Sequence, residues 1–130
     1  MLVLVTDLIL IGYWQSEREP LLPDPHRLVD QSWDRDERDL VVGYLRGGLA
    51  VVHMMGWSPC RMCSWQQNGA SELTDGTYLW PEGLAHYVAD HGVRLPDEFV
   101  HHAVSRFGDL ESAAVRPSGR VVDAWLAMLE

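Results

Sequence analysis

The sequence has no lysine, and its ten basic residues are all arginine, against nineteen acidic residues. The formal net charge is therefore −9, and the arginines are scattered along the chain. An acidic surface repels the phosphate backbone of nucleic acids unless a local basic patch offsets the repulsion. We therefore expect no nucleic-acid partner.

Cysteine is also scarce: the chain has only Cys60 and Cys63. Two cysteines this close do not form a disulfide framework, and in a reducing compartment their spacing suits metal or redox chemistry. The apolar N-terminus is too short to cross a bilayer and is interrupted by Asp7. It also lacks the basic region and cleavage site of a signal peptide. These absences predict a cytoplasmic protein with no membrane segment.

What the chain does have is enough apolar sequence for one folded domain. It contains 130 residues, 47% of them hydrophobic, with six tryptophans. This length and composition are typical of a single globular domain with a core of its own. No internal repeat is visible, and we predict one domain over residues 1–130.

The first half of the chain predicts strands on either side of a helix. Residues 2–13 are rich in Val, Ile and Leu, as in one or two buried strands, although periodicity does not exclude a helix there. A helix is predicted from the cap Ser32 or Asp34 to Gly47. Its apolar stripe contains Leu40, Val41, Tyr44 and Leu45. Residues 49–55 follow as a further strand.

A hairpin and three helices are predicted for the second half. The Asp-Gly dipeptide at 75–76 indicates a two-residue turn in which Leu73 pairs with Tyr78 and Thr74 with Thr77. This register places four residues on one face of the hairpin: Ser71, Leu73, Tyr78 and Trp80. Helices are expected from Pro81 to Gly92, from Asp97 to about Phe107, and over residues 121–129. The inward residues of the second of these are Phe99, Val100, Ala103, Val104 and Phe107.

Two histidines on the helix after the hairpin complete a set of metal ligands with the cysteines. Zinc in structural sites is held by four protein ligands, and His86 and His91 have the H-x₄-H spacing found in such sites. Residues five apart on a regular helix are rotated by about 140°, so convergence requires the helix to open near Gly92. We predict a Zn²⁺ site formed by Cys60, Cys63, His86 and His91. The fold class is then α+β, with N-terminal strands, a zinc-finger-like unit over about residues 57–92, and flanking helices.

Three other interpretations of the cysteine pair remain open. The thiols can be buried without a metal, with the histidines on the surface. A redox dithiol is disfavoured because Asn68-Gly69 follows too closely for the pair to open a helix that would lower a thiol pKa. Pro59 and the two cysteines also match half of the zinc deaminase motif, but the upstream H-x-E that supplies the catalytic glutamate is absent.

Four strings of the sequence resemble an uncharacterised bacterial protein family. They are CRxC at 60–63, NGxSELTDG at 68–76, WPEGLAHYV at 80–88 and HxVRLPxxF at 91–99. The resemblance covers about residues 20–105 and supports the two cysteines and two histidines as one unit. Members often have glycine where Ser64 stands here. The resemblance implies no activity or substrate.

The closed ligand set, the acidic surface and the absence of a catalytic motif favour a non-enzymatic, zinc-stabilised module that binds a protein partner, such as an immunity or adaptor protein. Trp57, Trp65 and Trp80 are candidate anchors for that partner if they are exposed rather than part of the core. The alternative is a small enzyme with a site near the hairpin, formed by Glu72, Asp75 and Glu82. No catalytic residue is assigned, and the sequence does not predict an oligomeric state.

Overall fold

Residues 7–114 form a small α+β domain with one four-stranded sheet and three α-helices. A computed structural model describes residues 7–114 and Met128. The predicted helix over 121–129 lies outside this part of the chain apart from that one residue. In chain order the elements are β1 (Ile9–Leu10), a 3₁₀ helix (Pro25–Leu28), α1 (Arg35–Arg46), β2 (Leu49–His53), β3 (Ser71–Thr74), β4 (Tyr78–Pro81), α2 (Leu84–His91) and α3 (Asp97–Ala114).

The strand order in the sheet is β1-β4-β3-β2. β1 pairs with β4 in parallel, and the other neighbours are antiparallel. The prediction of buried strands at the N-terminus is wrong for the described residues, because Ile9 and Leu10 are both more than half exposed. They lie at one edge of the sheet, where β4 is their one neighbouring strand among the described residues.

The hairpin is wider than the predicted two-residue turn. Leu73 pairs with Trp80, and Thr74 pairs with Leu79, so the predicted partners Tyr78 and Thr77 are wrong. The reason is the Asp75 carboxylate, which accepts hydrogen bonds from the N–H groups of Thr77 and Tyr78 at 2.9 and 2.8 Å. The register differs from the predicted one by two residues. A two-residue shift keeps each side chain on its predicted face, and Leu73, Tyr78 and Trp80 are buried.

Helix α1 begins and packs largely as the sequence predicts. The Asp34 carboxylate caps it by accepting a hydrogen bond from the Glu37 N–H at 2.9 Å. Val41, Tyr44 and Leu45 are buried, as expected. Val42 is buried as well, whereas Leu40 is only partly so. The buried stripe is therefore rotated slightly from its predicted position.

The bounds of the two later helices differ from the prediction. Pro81 belongs to β4, where it pairs with Glu72, and α2 begins only at Leu84. α3 does not end at Gly108 but continues to Ala114. The predicted inward positions of α3 are correct for three residues, but Val104 and Phe107 are exposed. A glycine within a helix costs only about 1 kcal/mol relative to alanine, and such a cost does not end a helix by itself.

The core lies between the helices and the face of the sheet that contains Leu73, Tyr78 and Trp80. Trp80 is fully buried, and its indole N–H donates to the Leu45 carbonyl at 3.1 Å, which ties β4 to the end of α1. Phe99 from α3 contacts the rings of Tyr78 and Trp80 edge-on. Within residues 7–114, no helix is both long and apolar enough to cross a membrane.

Candidate metal centre

The structure brings Cys60, Cys63, His86 and His91 together at the edge of the core. One ligand atom from each residue lies within 4.8 Å of all the others. The Nε2 atom of His91 is 3.5 Å from Cys60 Sγ, and Nε2 of His86 is 3.4 Å from Cys63 Sγ. In a tetrahedral zinc site, with Zn–S and Zn–N distances of about 2.3 and 2.0 Å, sulfur and nitrogen lie about 3.5 Å apart. The cluster therefore has the dimensions needed to hold a metal ion.

The two cysteines lie in a loop without regular secondary structure, as the sequence predicts. The Cys60 N–H donates to the Trp65 carbonyl at 2.8 Å and closes the loop. The Met62 N–H donates to Cys60 Sγ at 3.4 Å, and the same sulfur would also bind the metal. No helix begins at the pair, so neither cysteine has the helix N-terminal position in which redox-active dithiols often lie.

The histidines converge because α2 ends in an open turn. The N–H groups of Gly92 and Val93 both bond to the Tyr87 carbonyl, five and six residues back. Gly92 has a φ of 66°, the left-handed conformation that glycine accepts without strain. This arrangement confirms the expected role of Gly92 at the end of the helix.

Helix α2 also holds the cysteine loop in place through Tyr87, a residue between its two histidines. The Tyr87 hydroxyl accepts a hydrogen bond from the Arg61 backbone N–H at 2.7 Å. Tyr87 is buried, and burial is the main cause that raises its pKa to about 12. The hydroxyl therefore remains protonated at neutral pH and joins the loop to the helix independently of any metal.

Asp90 orients one of the imidazoles. Its carboxylate lies 2.9 Å from Nδ1 of His86, one helical turn away, while Nε2 of the same ring faces Cys63. Metal-bound histidines commonly donate their other ring N–H to a carboxylate, which fixes the tautomer and makes the ligand more basic. The Trp65 ring packs edge-on against His86 with centroids 4.6 Å apart. Both contacts fit His86 as a metal ligand through Nε2.

Without a metal, the uncharged forms of buried Cys60 and partly buried His91 are favoured. Burial raises the pKa of the Cys60 thiol above its ordinary value. Burial, and then the nearby His86, lower the pKa of His91. A neutral imidazole is the form that binds metal, whereas the thiol must lose its proton when a metal binds. The two thiols and two imidazoles are the donor set that structural zinc sites use.

A second contact holds the loop against the start of α2. Asn68 is buried, and its side-chain amide donates to the Gly83 carbonyl at 3.2 Å. Gly83 approaches so closely that a Cβ there would lie 2.3 Å from the Asn68 carbonyl oxygen. The Ala70 N–H also donates to the Glu82 carboxylate at 2.8 Å. The cysteine loop and the histidine helix are therefore packed as one unit.

Sequence reasoning missed the supporting residues of this cluster. The sequence gives no role to Asp90, places Tyr87 only on the apolar stripe of its helix, and offers Trp65 only as a candidate anchor for a partner. Asp90 was within reach of the sequence, since residues four apart on a helix lie side by side and His86 precedes it by four. The Tyr87 contact depends on how the loop folds back, which no local pattern indicates.

The three carboxylates of the alternative enzyme site do not share one cavity. Glu82 lines a surface cavity of about 400 Å³ beside α2, and Asp75 lines another of about 580 Å³ at the hairpin turn. Glu72 accepts a hydrogen bond from the Tyr13 hydroxyl at 2.8 Å. Neither of these two cavities is lined by all three carboxylates.

Asp75 instead belongs to a buried network that the sequence did not predict. Its carboxylate accepts hydrogen bonds from the Tyr44 hydroxyl at 2.5 Å and from His102 Nε2 at 2.8 Å, and its side chain is only 7% exposed. Burial favours a higher pKa for Asp75. The Tyr44 hydrogen bond, with those from the Tyr78 and Thr77 N–H groups and from His102, outweighs burial and lowers the pKa to about 2. This carboxylate is therefore ionised at neutral pH and accepts hydrogen bonds in a structural role.

Two of the three tryptophans proposed as anchors are exposed. Trp57 and Trp65 are 59% and 47% exposed, whereas Trp80 is fully buried in the core and is excluded. Trp57 and Trp65 line the 400 Å³ cavity together with Glu82, His86 and Asp90. The cavity therefore lies directly beside the cluster of two cysteines and two histidines, with two aromatic rings and two carboxylates in its wall.

Comparisons with known proteins identify no relative: the chain matches no protein-family model, no curated protein and no solved structure. The bacterial family resemblance of the sequence therefore stays a prediction.

Proposed function

We propose that this chain is a zinc-stabilised protein-binding module whose Zn²⁺ is structural, held by Cys60, Cys63, His86 and His91. The observation that supports zinc is the meeting of two thiols and two imidazoles at the sulfur-to-nitrogen distances of a tetrahedral site. Four protein ligands leave no open coordination position for substrate or water. The metal would stabilise the contact between the cysteine loop and α2, and the side chains around the site would orient its ligands.

The proposed partner surface is the cavity beside this site. Exposed tryptophan is enriched among the residues that contribute most to protein–protein affinity, and Trp57 and Trp65 both line the cavity. The chain as a whole has a net charge of −9, and the wall of the cavity contains two carboxylates, Glu82 and Asp90, against one guanidinium, Arg46. A partner with a basic contact surface matches this charge, whereas nucleic acid does not. An immunity or adaptor role in the cytoplasm of a bacterium fits such a module.

Binding is preferred over catalysis because the candidate carboxylates are each engaged in structural hydrogen bonds. Glu72, Asp75 and Glu82 bond to Tyr13, to Tyr44 and to the Ala70 N–H, respectively. Asp75 has a pKa of about 2, far from the value near the working pH that suits a general acid or base.

The proposal is tested by capturing partners from the native host with zinc-loaded protein and with a Trp57→Ala variant. Leu21→Ala is the control, because Leu21 is 98% exposed and does not line this cavity. A captured protein should bind the wild type and the control when purified, and should bind Trp57→Ala at least about tenfold more weakly. Recovery of no protein, or a partner that binds Trp57→Ala as tightly as the wild type, would refute the proposed surface.

A further inference from the structure

Strand β2 is the edge of the sheet and is apolar on both faces. Its residues are Leu49, Ala50, Val51, Val52 and His53, and every one of them is exposed. Within the described residues, β3 is its only neighbour, so one side of its backbone has no partner strand. An open edge offers a row of N–H and C=O groups to any strand that can approach it.

Proteins protect such edges with lysine, proline, inward charges or bulges. The β2 sequence has neither lysine nor proline nor any acidic residue, and its one protective feature is a register irregularity between Ala50 and Val52. Val51 lies at this irregularity and is 47% exposed. Met54 and Met55 continue the exposed apolar surface past the end of the strand. The edge is therefore poorly protected against pairing.

The charge distribution indicates which kind of chain can approach. None of the nineteen acidic residues lies within residues 40–71, although the protein has a net charge of −9. In the adjacent hairpin, the carboxylates of Glu72 in β3 and Asp75 in the turn are bonded to the hydroxyls of Tyr13 and Tyr44. A basic partner would find no carboxylate to pair with along this strand. A second acidic copy of the chain, in contrast, meets the least repulsion here.

From these observations we infer that the protein forms a two-fold symmetric dimer in which two β2 strands pair antiparallel. The same residues of each copy then satisfy the open backbone groups of the other, as a two-fold interface requires. The two sheets become one continuous eight-stranded sheet, twice the four strands of one copy. This inference is independent of the proposed partner surface and of its tryptophans.

Sedimentation velocity of zinc-loaded protein from micromolar to millimolar concentration tests the dimer. Val51→Lys places two like charges near the two-fold axis and should raise the dimer dissociation constant at least about tenfold. Val104→Lys is the matched control, because Val104 on α3 is 37% exposed, close to the 47% of Val51, and should leave the constant unchanged. Added salt should strengthen the dimer, since it screens the repulsion between two acidic copies.

Amide hydrogen exchange provides a second measurement that does not depend on any variant. Backbone N–H groups of residues 49–53 should exchange more slowly as the protein concentration rises. A monomer at every concentration would overturn the inference, as would protection of these groups that is independent of concentration, since another segment of the same chain would then cover the edge. Equal weakening by Val51→Lys and Val104→Lys would also overturn it.

Discussion

The Asp90 carboxylate lies 2.9 Å from Nδ1 of His86, and the opposite nitrogen of that ring lies 3.4 Å from Cys63 Sγ. This relationship gives the ring one orientation before any metal arrives. Asp90 is exposed, whereas His86 is half-buried. A substitution of Asp90 can therefore change the metal affinity of the site while all four ligands are kept.

Replacing Asp90 with alanine should therefore weaken zinc binding by roughly 10- to 100-fold, the usual effect of removing a carboxylate behind a histidine ligand. Competition with a chromophoric chelator measures the change. Asp39→Ala is a close control, because the two carboxylate side chains are 62% and 63% exposed and each lies on a helix. Equal zinc affinity of the wild type and Asp90→Ala would contradict the proposed role of Asp90.

A pair of glycine variants tests the packing of the loop against α2. Gly83→Ala should lower the free energy of unfolding by about 1–3 kcal/mol, because its new Cβ would meet the Asn68 carbonyl oxygen at 2.3 Å. Gly43→Ala should instead stabilise the protein by about 0.5–1 kcal/mol, since Gly43 is within α1 and a Cβ there meets nothing within 4 Å. Denaturant unfolding measures both. A Gly83→Ala protein as stable as Gly43→Ala would show that the loop does not pack as described.

The Asp75 network predicts a specific dependence of stability on pH. The folded state lowers the pKa of Asp75 from 3.8 to about 2, so its ionised form contributes stability that is fully present above pH 4. The contribution disappears as the pH falls from about 4 to about 2. Asp75→Asn should therefore cost about 1–3 kcal/mol at pH 7, with a smaller difference from the wild type at lower pH. A difference that grows with acidity would contradict the assignment, as would a carboxyl NMR titration of Asp75 with a midpoint near 4.

Metal removal should loosen the cysteine loop and α2 more than the sheet. Zinc-finger peptides gain about 10–16 kcal/mol of apparent folding energy from their metal. This chain has an additional core, centred on Trp80 and Phe99, so we expect a chelator to reduce the unfolding free energy without abolishing folding. Hydrogen exchange should accelerate in residues 57–69 and in α2 before it does in β3 and β4. Uniform acceleration across the domain would argue against a local role of the metal.

The sequence predicted those features that depend on local chemistry. The Asp34 cap, the buried α1 residues and the role of Gly92 each follow from a few neighbouring residues. The four clustered residues followed from spacing and ligand chemistry. At the Asp34 cap and at Gly92, a few neighbouring residues are enough to determine how the helix begins or ends.

The remaining features depend on contacts between distant residues. The hairpin register is set by the hydrogen bonds of Asp75, a carboxylate that also holds Tyr44 and His102 from two helices. Pro81 continues β4 because it pairs with Glu72 rather than starting a helix. The exposure of Val104 and Phe107 depends on which helices cover α3, and periodicity along α3 does not contain that information.

In the proposed function, Cys60, Cys63, His86 and His91 hold one structural zinc ion. X-ray absorption spectroscopy of the purified protein, with metal analysis of the same sample, tests it most directly. We predict one zinc per chain, with two sulfur neighbours at about 2.3 Å and two nitrogen neighbours at about 2.0 Å, and loss of this signal in Cys60→Ser. Protein that purifies without zinc and takes up none when zinc is added, or a zinc ion with oxygen neighbours in place of these ligands, would contradict the proposal.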